Sequence, residues 1–286
     1  MRLRDWRSAV GILCLCALIA SCASSGGVAA SVHRTTFDPK NFVDPRSSTN
    51  RYFPTKPGMQ WVREGTTRLG SRVISHQVVS TMTDVIRDID GVKTIAMLDQ
   101  ETDAGQIAQV SIDYFALDRS GNVWITGGYT EEYQGGAFTN AVDPWLGRAN
   151  GAEPGILMPA HPKPRTPRWF IGHHGREVGG AAEVATVAPK QCVVFACYRH
   201  VLVVREGSVD QLDNEFKYYA PGVGQILNAP RRFSGKKEVE SLANVSQLSS
   251  DGLAEFSAVV QRLERHARAT EPKVFGRAPT SARAGR

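Results

Sequence analysis

The chain has 286 residues, of which 42% are hydrophobic and 22% charged. This composition is typical of globular proteins and excludes a disordered, collagenous or coiled-coil chain. The formal net charge of +6 comes from the termini, because residues 1–21 and 262–286 hold ten of the 34 basic residues but three of the 28 acidic ones. The body between them is close to neutral, so we expect no nucleic-acid partner.

The N-terminus predicts export. Arg2, Arg4 and Arg7 precede an uncharged, mostly apolar run at residues 9–20. A run of this length fits the core of a signal peptide and is shorter than the ~20 residues that span a bilayer. We predict a signal peptide at residues 1–21. The alternatives to the lipid-anchored form described next are an ordinary signal peptide followed by an incidental cysteine, and a short anchor helix.

The end of this segment, Ile19-Ala20-Ser21-Cys22, resembles the bacterial lipobox. The resemblance implies that the Cys22 thiol is diacylated, with palmitate as the chain to test for, and that cleavage occurs before it. Two or more acyl chains hold a protein stably on a membrane, whereas one holds it marginally. We therefore predict a lipoprotein on the extracytoplasmic side of the cell envelope, with the membrane as its partner through the anchor. Ala23 favours the outer membrane if the host has one.

Cysteine usage agrees with export. Cys14 and Cys16 leave with the signal peptide and Cys22 carries lipid, so Cys192 and Cys197 remain. Two thiols outside the cytosol predict a disulfide, provided that a tight turn brings their Cα atoms together. Two inert buried thiols are the alternative.

Residues 51–248 predict a β-rich domain, after a flexible tether and lead-in at 22–50. Runs of Val, Ile, Thr, Tyr and Trp alternate with Gly, Asp and Asn turns. The predicted strands are 59–64, 72–87, 92–100, 106–118, 122–126, 183–188, 198–206, 214–220, 224–228 and 238–242. Short connections between them imply an antiparallel meander.

One predicted strand alternates cleanly. Val110, Ile112 and Tyr114 share an apolar face, which we expect to be the buried side of the sheet. Asp113 lies on the opposite face, which predicts a solvated residue rather than a general acid. The residues that follow, 118–122, predict a hairpin turn with Gly121 in the left-handed conformation, in preference to a calcium loop.

Residues 127–180 hold eleven Gly and six Pro, which favours a long irregular segment. Its aromatic content predicts a packed loop that covers an open end or face of the sheet. We expect a ligand to contact the aromatic side chains of this segment, namely Tyr129, Tyr133, Trp145, Trp169 and Phe170.

After residue 248 the period changes. Leu253, Phe256, Val260 and Leu263 recur at helical spacing, which predicts an amphipathic helix at residues 249–269. Residues 270–286 lack any period and predict a disordered basic tail.

Five stretches together resemble a family of uncharacterised bacterial secreted or lipid-anchored proteins. They are residues 50–61, 113–124 with its Gly-Asn-Val-Trp, 151–160 (Gly-Ala-Glu-Pro-Gly-Ile-Leu-Met-Pro-Ala), 201–206, and 217–224 (Lys-Tyr-Tyr-Ala-Pro-Gly-Val-Gly). The resemblance covers roughly residues 37–242 and implies a β-rich fold. That family has no assigned reaction, so the resemblance implies no mechanism.

A metal site is the one catalytic hypothesis that the sequence offers. His173, His174 and Glu177, with His161 nearby, are residue types that bind zinc. Adjacent His side chains on a strand point in opposite directions, however, and no His-Glu-x-x-His is present.

We therefore predict an all-β domain, a curved antiparallel sheet that closes partly or fully into a barrel or clam. The Gly/Pro-rich loop crosses it and the C-terminal helix lies outside. The predicted function is non-catalytic binding of an apolar ligand or an envelope protein, with no cofactor and no catalytic residue. The alternatives are a metal-dependent hydrolase and a purely structural envelope protein.

Overall fold

A computed structural model describes residues 31–174, 179–230, 239–276 and 279–284. Within these residues the chain forms fifteen strands and two α-helices. The strands are β1 (Phe42–Val43), β2 (Met59–Leu69), β3 (Arg72–Ile89), β4 (Val92–Asp103), β5 (Gln106–Asp118), β6 (Val123–Gln134), β7 (Ala137–Leu146), β8 (Glu153–Met158), β9 (Trp169–His173), β10 (Gly180–Cys192), β11 (Cys197–Ser208), β12 (Leu212–Ala220), β13 (Gly224–Pro230), β14 (Val239–Gln247) and β15 (Ala282–Arg283). The helices are α1 (Ser250–Thr270) and α2 (Pro272–Phe275).

Twelve strands form a closed antiparallel ring in the order β5-β4-β3-β2-β14-β13-β12-β11-β10-β9-β8-β6 and back to β5. The ring closes at β6, which pairs with β5 along one edge and, through its first residues, with β8 along the other. Gly155 allows the close contact between β8 and β9 in the same ring, because a Cβ there would lie 2.2 Å from backbone atoms of Ile171 in β9. The predicted all-β barrel with a C-terminal helix is confirmed, and the barrel is fully closed.

The two ends of the ring differ. We call the end with the turns at 70–71, 104–105 and 135–136 the mouth end. The other, which we call the tether end, has the turns at 90–91, 119–122 and 221–223. His33 bridges to Trp169, the first residue of β9, at the tether end, so the N-terminal segment joins the barrel there.

Two apolar cores lie on opposite faces of the same strands. The inner core fills the tether half of the ring and includes Trp61, Phe115 and Leu202. The outer core lies between β3–β6 and the two helices and includes Tyr114 and Leu263. The C-terminal helix is therefore outside the barrel, as predicted.

The outer core corrects the orientation of β5. The apolar face that Ile112 and Tyr114 share packs beneath the helices, outside the ring. Asp113 consequently faces the interior, where it lines a cavity with Phe115. The prediction that Asp113 is a solvated residue is wrong, because an alternating pattern separates two faces without saying which one is enclosed.

Most of residues 127–180 form strands β6–β9, so the predicted long irregular loop is wrong. Several of the glycines serve close approach between strands instead. A Cβ on Gly127 would lie 2.9 Å from the Leu146 side chain, and one on Gly128 would lie 2.9 Å from the Asp113 carboxylate. High glycine content here reflects crowded strand contacts.

The turn at 118–122 is confirmed as a hairpin with Gly121 at a φ of 89°. The Asp118 carboxylate accepts hydrogen bonds from the backbone N–H groups of Ser120 and Asn122 and from the Trp124 indole, each at 2.9 Å. These three donors satisfy the hydrogen-bonding capacity of the carboxylate, as expected for a turn rather than a calcium loop.

Both terminal segments are more ordered than predicted. The lead-in docks through β1, which pairs with the end of β5, and Phe37 and Phe42 pack edge-on against Trp124. At the C-terminus Phe275 is completely buried and β15 pairs with β3. Apolar side chains and backbone pairing hold both segments. The prediction of a flexible lead-in is therefore wrong for residues 33–50, and the prediction of a disordered tail is wrong for residues 270–276 and 279–284. The predicted signal peptide, Cys22 and residues 23–30 lie outside the described residues.

A buried ion pair holds α1 to the barrel. The Arg87 guanidinium, fully buried on β3, donates to the Glu264 carboxylate at 3.0 Å, and the Tyr114 hydroxyl donates to the same oxygen at 2.6 Å. The rings of Tyr114 and Phe275 lie against the guanidinium at 5.4 and 5.2 Å. Because both charges are removed from water, each depends on the other.

We expect Glu264→Ala to lower the free energy of unfolding by about 3–5 kcal/mol, because it leaves the buried Arg87 charge unpaired. Glu255→Ala, at an exposed position of the same helix, should change it by less than about 0.5 kcal/mol. The double variant Arg87→Met/Glu264→Leu should recover much of the loss. Chemical unfolding monitored by circular dichroism measures all three; equal stability of the two alanine variants would contradict the assignment.

Candidate functional site

The ring encloses a cavity of about 390 Å³ on the mouth side of the inner core. This volume is within the range of small-molecule pockets. Its apolar wall is formed by Phe53, Pro54, Trp61, Val78, Met97, Phe115, Ile125, Leu157 and Ile171. Its charged wall contains six carboxyl groups, on Asp99, Glu101, Asp113, Glu206, Glu215 and Glu240, and two permanent cations, Arg63 and Lys217. The interior is therefore acidic.

The wall changes character along the barrel axis. On β2, β4, β5 and β12, successive inward residues run from apolar or aromatic at the tether end to charged at the mouth end. The inward residues are Trp61 then Arg63, Met97 then Asp99 and Glu101, Phe115 then Asp113, and Tyr219 then Lys217 and Glu215. The cavity thus has an apolar floor and an acidic upper wall.

Arg63 links two of the acids. Its Nε donates to Glu240 at 2.9 Å, its terminal nitrogen donates to the Ser80 hydroxyl at 2.8 Å, and Ser80 in turn donates to Asp99. Burial raises the pKa of Glu240, but the Arg63 charge outweighs it, so that pKa is lowered. For Asp99 burial dominates and the pKa is raised despite Arg63. The Arg63 charge therefore outweighs the effect of burial at Glu240 but not at Asp99.

The second cation is also engaged. The Lys217 ammonium lies 2.7 Å from the Glu206 carboxylate. Burial lowers the pKa of Lys217, but the nearby Glu206 charge more than reverses this, so the pKa is raised and the ammonium stays charged. Both cations of the wall are thus in contact with glutamates.

Asp113 is the exception among these groups. Its carboxylate makes no hydrogen bond or ion pair with any residue that the structure describes. Burial raises its pKa to about 7, repulsion by Asp99 adds to this, and the Lys217 charge opposes it. Its opposite residue on β4 is Met97, which places Asp99 one diagonal step away on the same face. Asp113 therefore changes charge near neutral pH.

Asn228 on β13 offers a further polar atom. It is 7% exposed and lines the cavity. Its amide nitrogen lies 3.5 Å from Glu240, while its carbonyl oxygen has no partner among the described residues. A buried acceptor without a donor is costly, so this oxygen would gain from a donor that the side chain could turn toward.

The structure separates the five aromatic residues that the sequence predicts as ligand contacts: Tyr129, Tyr133, Trp145, Trp169 and Phe170. Tyr129 and Tyr133 pack in the outer core and donate to Glu131. Trp169 belongs to the inner core and Phe170 lies under the Arg34 guanidinium at 3.8 Å. Trp145 stacks on His174, which lines the cavity, at 4.5 Å. Trp145 thus contacts a residue of the cavity wall, and Trp169 belongs to the same core as the lining residues Trp61 and Phe115.

The predicted metal ligands are only partly described. His173 ends β9 and its Nδ1 is buried without a partner, whereas His174 stacks on Trp145. Glu177 lies outside the described residues. Across the described ranges, no three His, Cys, Asp or Glu side chains are grouped so that they could hold a metal ion. The metal site stays a prediction.

Cys192 and Cys197 form a disulfide across the turn between β10 and β11, with their Cα atoms 3.9 Å apart. The turn itself is closed by the Val193 amide, which donates to the Ala196 carbonyl at 2.9 Å. The tip of the turn contacts β14, where the Phe195 amide donates to the Leu242 carbonyl at 2.9 Å.

The acidic wall was missed by sequence reasoning, although a signal for it exists. Asp99 and Glu101 share one face of β4, and Glu215 and Lys217 share one face of β12. To read this signal, the apolar face of the predicted C-terminal helix must first be matched to the apolar face of the strands. The strand face opposite the one beneath α1 is then the interior.

The chain matches no protein-family model, and no curated protein matches it significantly. Among solved structures it is similar to a predicted lipoprotein from Parabacteroides distasonis, with a TM-score of 0.38, 9% identity, and coverage of 70% of this chain and 100% of the other. It is also similar to a predicted exported protein with a YmcC-like fold from Bacteroides fragilis, with a TM-score of 0.31, 10% identity, and coverage of 69% and 100%. Similarity of this degree does not transfer either description to this protein.

We expect Asp113→Asn to stabilise the protein increasingly as pH rises. In the wild type the folded carboxyl keeps its proton up to pH about 7, whereas the unfolded one loses it near pH ~4. The free energy of unfolding therefore falls between these values as pH rises, by at most ~1.4 kcal/mol per pH unit, and the full penalty is present above pH 7.

The asparagine variant has no ionisable group at this position and so lacks this penalty. The difference in unfolding free energy between the variant and the wild type should therefore be small at pH 4 and largest at pH 8. Asp210→Asn, at an exposed position, is the control and should show no such trend. Thermal unfolding across this pH range measures both; parallel curves for wild type and Asp113→Asn would contradict the assignment.

Proposed function

We propose that the protein is an exported, lipid-anchored protein of the cell envelope that binds a small amphiphilic ligand inside its barrel without catalysis. The supporting observation is the cavity of about 390 Å³ with an apolar floor and an acidic upper wall. Such a gradient fits a molecule with an apolar body and a polar head better than a purely apolar one.

The anchoring part of the proposal rests on the sequence. Cys22 precedes Ser31, where the described chain begins, by nine residues, which reach at most ~32 Å when extended. Within the described part of the chain, no helix has the length and apolar character needed to cross a bilayer.

The two alternatives are less well supported. A metal-dependent hydrolase requires a ligand set that the described residues do not assemble. A purely structural role gives no reason for an unpaired carboxylate inside the ring. The resemblance to the uncharacterised lipoprotein family, and placement in the outer membrane, remain part of the proposal.

We expect labelled palmitate to enter the protein in its host and Cys22→Ser to abolish the labelling, because the thiol is the acylation site. Cys197→Ser, which removes a cysteine of the mature domain, should leave the labelling unchanged. Undiminished labelling of Cys22→Ser would contradict a lipid anchor at this residue.

We expect native mass spectrometry of protein purified from its own membrane to show a small-molecule adduct. Val78→Trp should remove the adduct, because Val78 is buried against the cavity and the larger ring fills it. Val73→Trp, on the same strand but 57% exposed, is the matched control and should retain it. An adduct that survives Val78→Trp would place the ligand elsewhere.

A further inference from the structure

We infer that the ligand of the barrel carries a cationic head, an ammonium or guanidinium group, which is bound between Asp99 and Asp113 while its apolar body lies on Trp61 and Phe115. This inference rests on the proposed function and specifies the chemical class of the ligand.

The charge count of the wall leads to this head group. Six carboxyl groups face two permanent cations, and each of these cations already contacts a glutamate, Arg63 with Glu240 and Lys217 with Glu206. Asp113 has no partner in the described residues, and Asp99 receives the Ser80 hydroxyl rather than a cation. A cation that enters the cavity therefore meets carboxylates whose charge the protein has not neutralised.

The register of the strands gives the two carboxylates a suitable spacing. Asp99 and Asp113 are diagonal neighbours on the same face of β4 and β5. Diagonal pairs lie ~7–8 Å apart at their backbones, and their side chains can be closer. An ammonium that donates to a carboxylate at ~2.8 Å on each side fits between them.

Asn228 supplies an independent observation. It is more than nine-tenths buried, lines the same cavity and has an unpartnered carbonyl oxygen. This acceptor is satisfied by a donor, and an ammonium or guanidinium has several donors and no acceptor. A neutral head would leave the carboxylates unpaired, and an anionic head would be repelled by them.

The floor accounts for the rest of the ligand. Trp61 and Phe115 lie on the tether side of the acids and are almost completely buried. At about 390 Å³ the cavity lies near the lower end of the range for small-molecule pockets. The ligand is therefore a short-chain or single-ring amine rather than a membrane phospholipid.

Three probes that differ only in the head test the inference: octylamine, octanol and octanoate at pH 8. The chain from residue 23 onward is used, because the ring and both cores are formed within residues 31–286, and its folding is first verified by circular dichroism. Isothermal titration calorimetry should give octylamine at least a tenfold lower Kd than octanol, and no binding of octanoate.

Asp113→Asn should weaken octylamine at least tenfold and leave octanol within twofold. Asp99→Asn should do the same, and Glu64→Gln, on the exposed face of β2, is the control that should change neither. Equal affinity for the three probes, or octylamine binding unaffected by either asparagine, would overturn the cationic head while leaving binding in the barrel intact. Failure of all three probes to bind would instead contradict interior binding itself.

Discussion

Closure of the sheet at β6 is the constraint on which the rest of the structure depends. Because the first residues of β6 pair with β8 while its other edge pairs with β5, every ring strand has one face inside and one outside. The inward face of β4 and β5 then places Asp99 and Asp113 in a shared cavity. An open sheet would have left the same carboxylates in water, where neither burial nor mutual repulsion would act on them.

The C-terminal helices give the barrel its second constraint. They cover the outer face of β3–β6, so those strands are apolar on the side that would otherwise be solvated. The Arg87–Glu264 pair fixes α1 there, and Tyr114 and Phe275 shield both charges. The inner face is thereby free to carry polar groups, since the outer core supplies apolar burial that the charged part of the interior does not.

The sequence predicts the strands well because their turns carry strong local signals. All ten predicted strands exist, and Asp118 and Gly121 form the predicted turn. Residues 127–180 were mispredicted because Gly127, Gly128 and Gly155 are required by contacts with strands distant in sequence. No local pattern distinguishes such a glycine from a loop glycine. The disulfide between Cys192 and Cys197 follows from their pairing across a hairpin, which the sequence alone leaves open.

The orientation of Asp113 shows a different limit. Alternation along β5 identifies two faces, but the apolar one could have been the interior or the seat of a helix. The amphipathic helix predicted near the C-terminus needs an apolar partner surface, and Ile112 and Tyr114 supply it. If the apolar face of β5 is matched to the helix before the interior is assigned, Asp113 is placed on the inward face. The strands and the helix were predicted correctly; the packing of their apolar faces against each other was not.

The interior carboxylates lower the stability of the barrel, which a purely structural role does not explain. Replacing buried charged groups with apolar ones of similar volume is often neutral or stabilising, so stability does not require Asp99 or Asp113. The tether half of the same ring shows that this chain can fill its interior with Trp61, Phe115 and Leu202. The mouth half instead keeps a cavity whose lining includes a carboxylate and an amide oxygen that have no partner among the described residues. Groups that cost stability and share a cavity are the arrangement expected where binding, rather than folding, determines the residues.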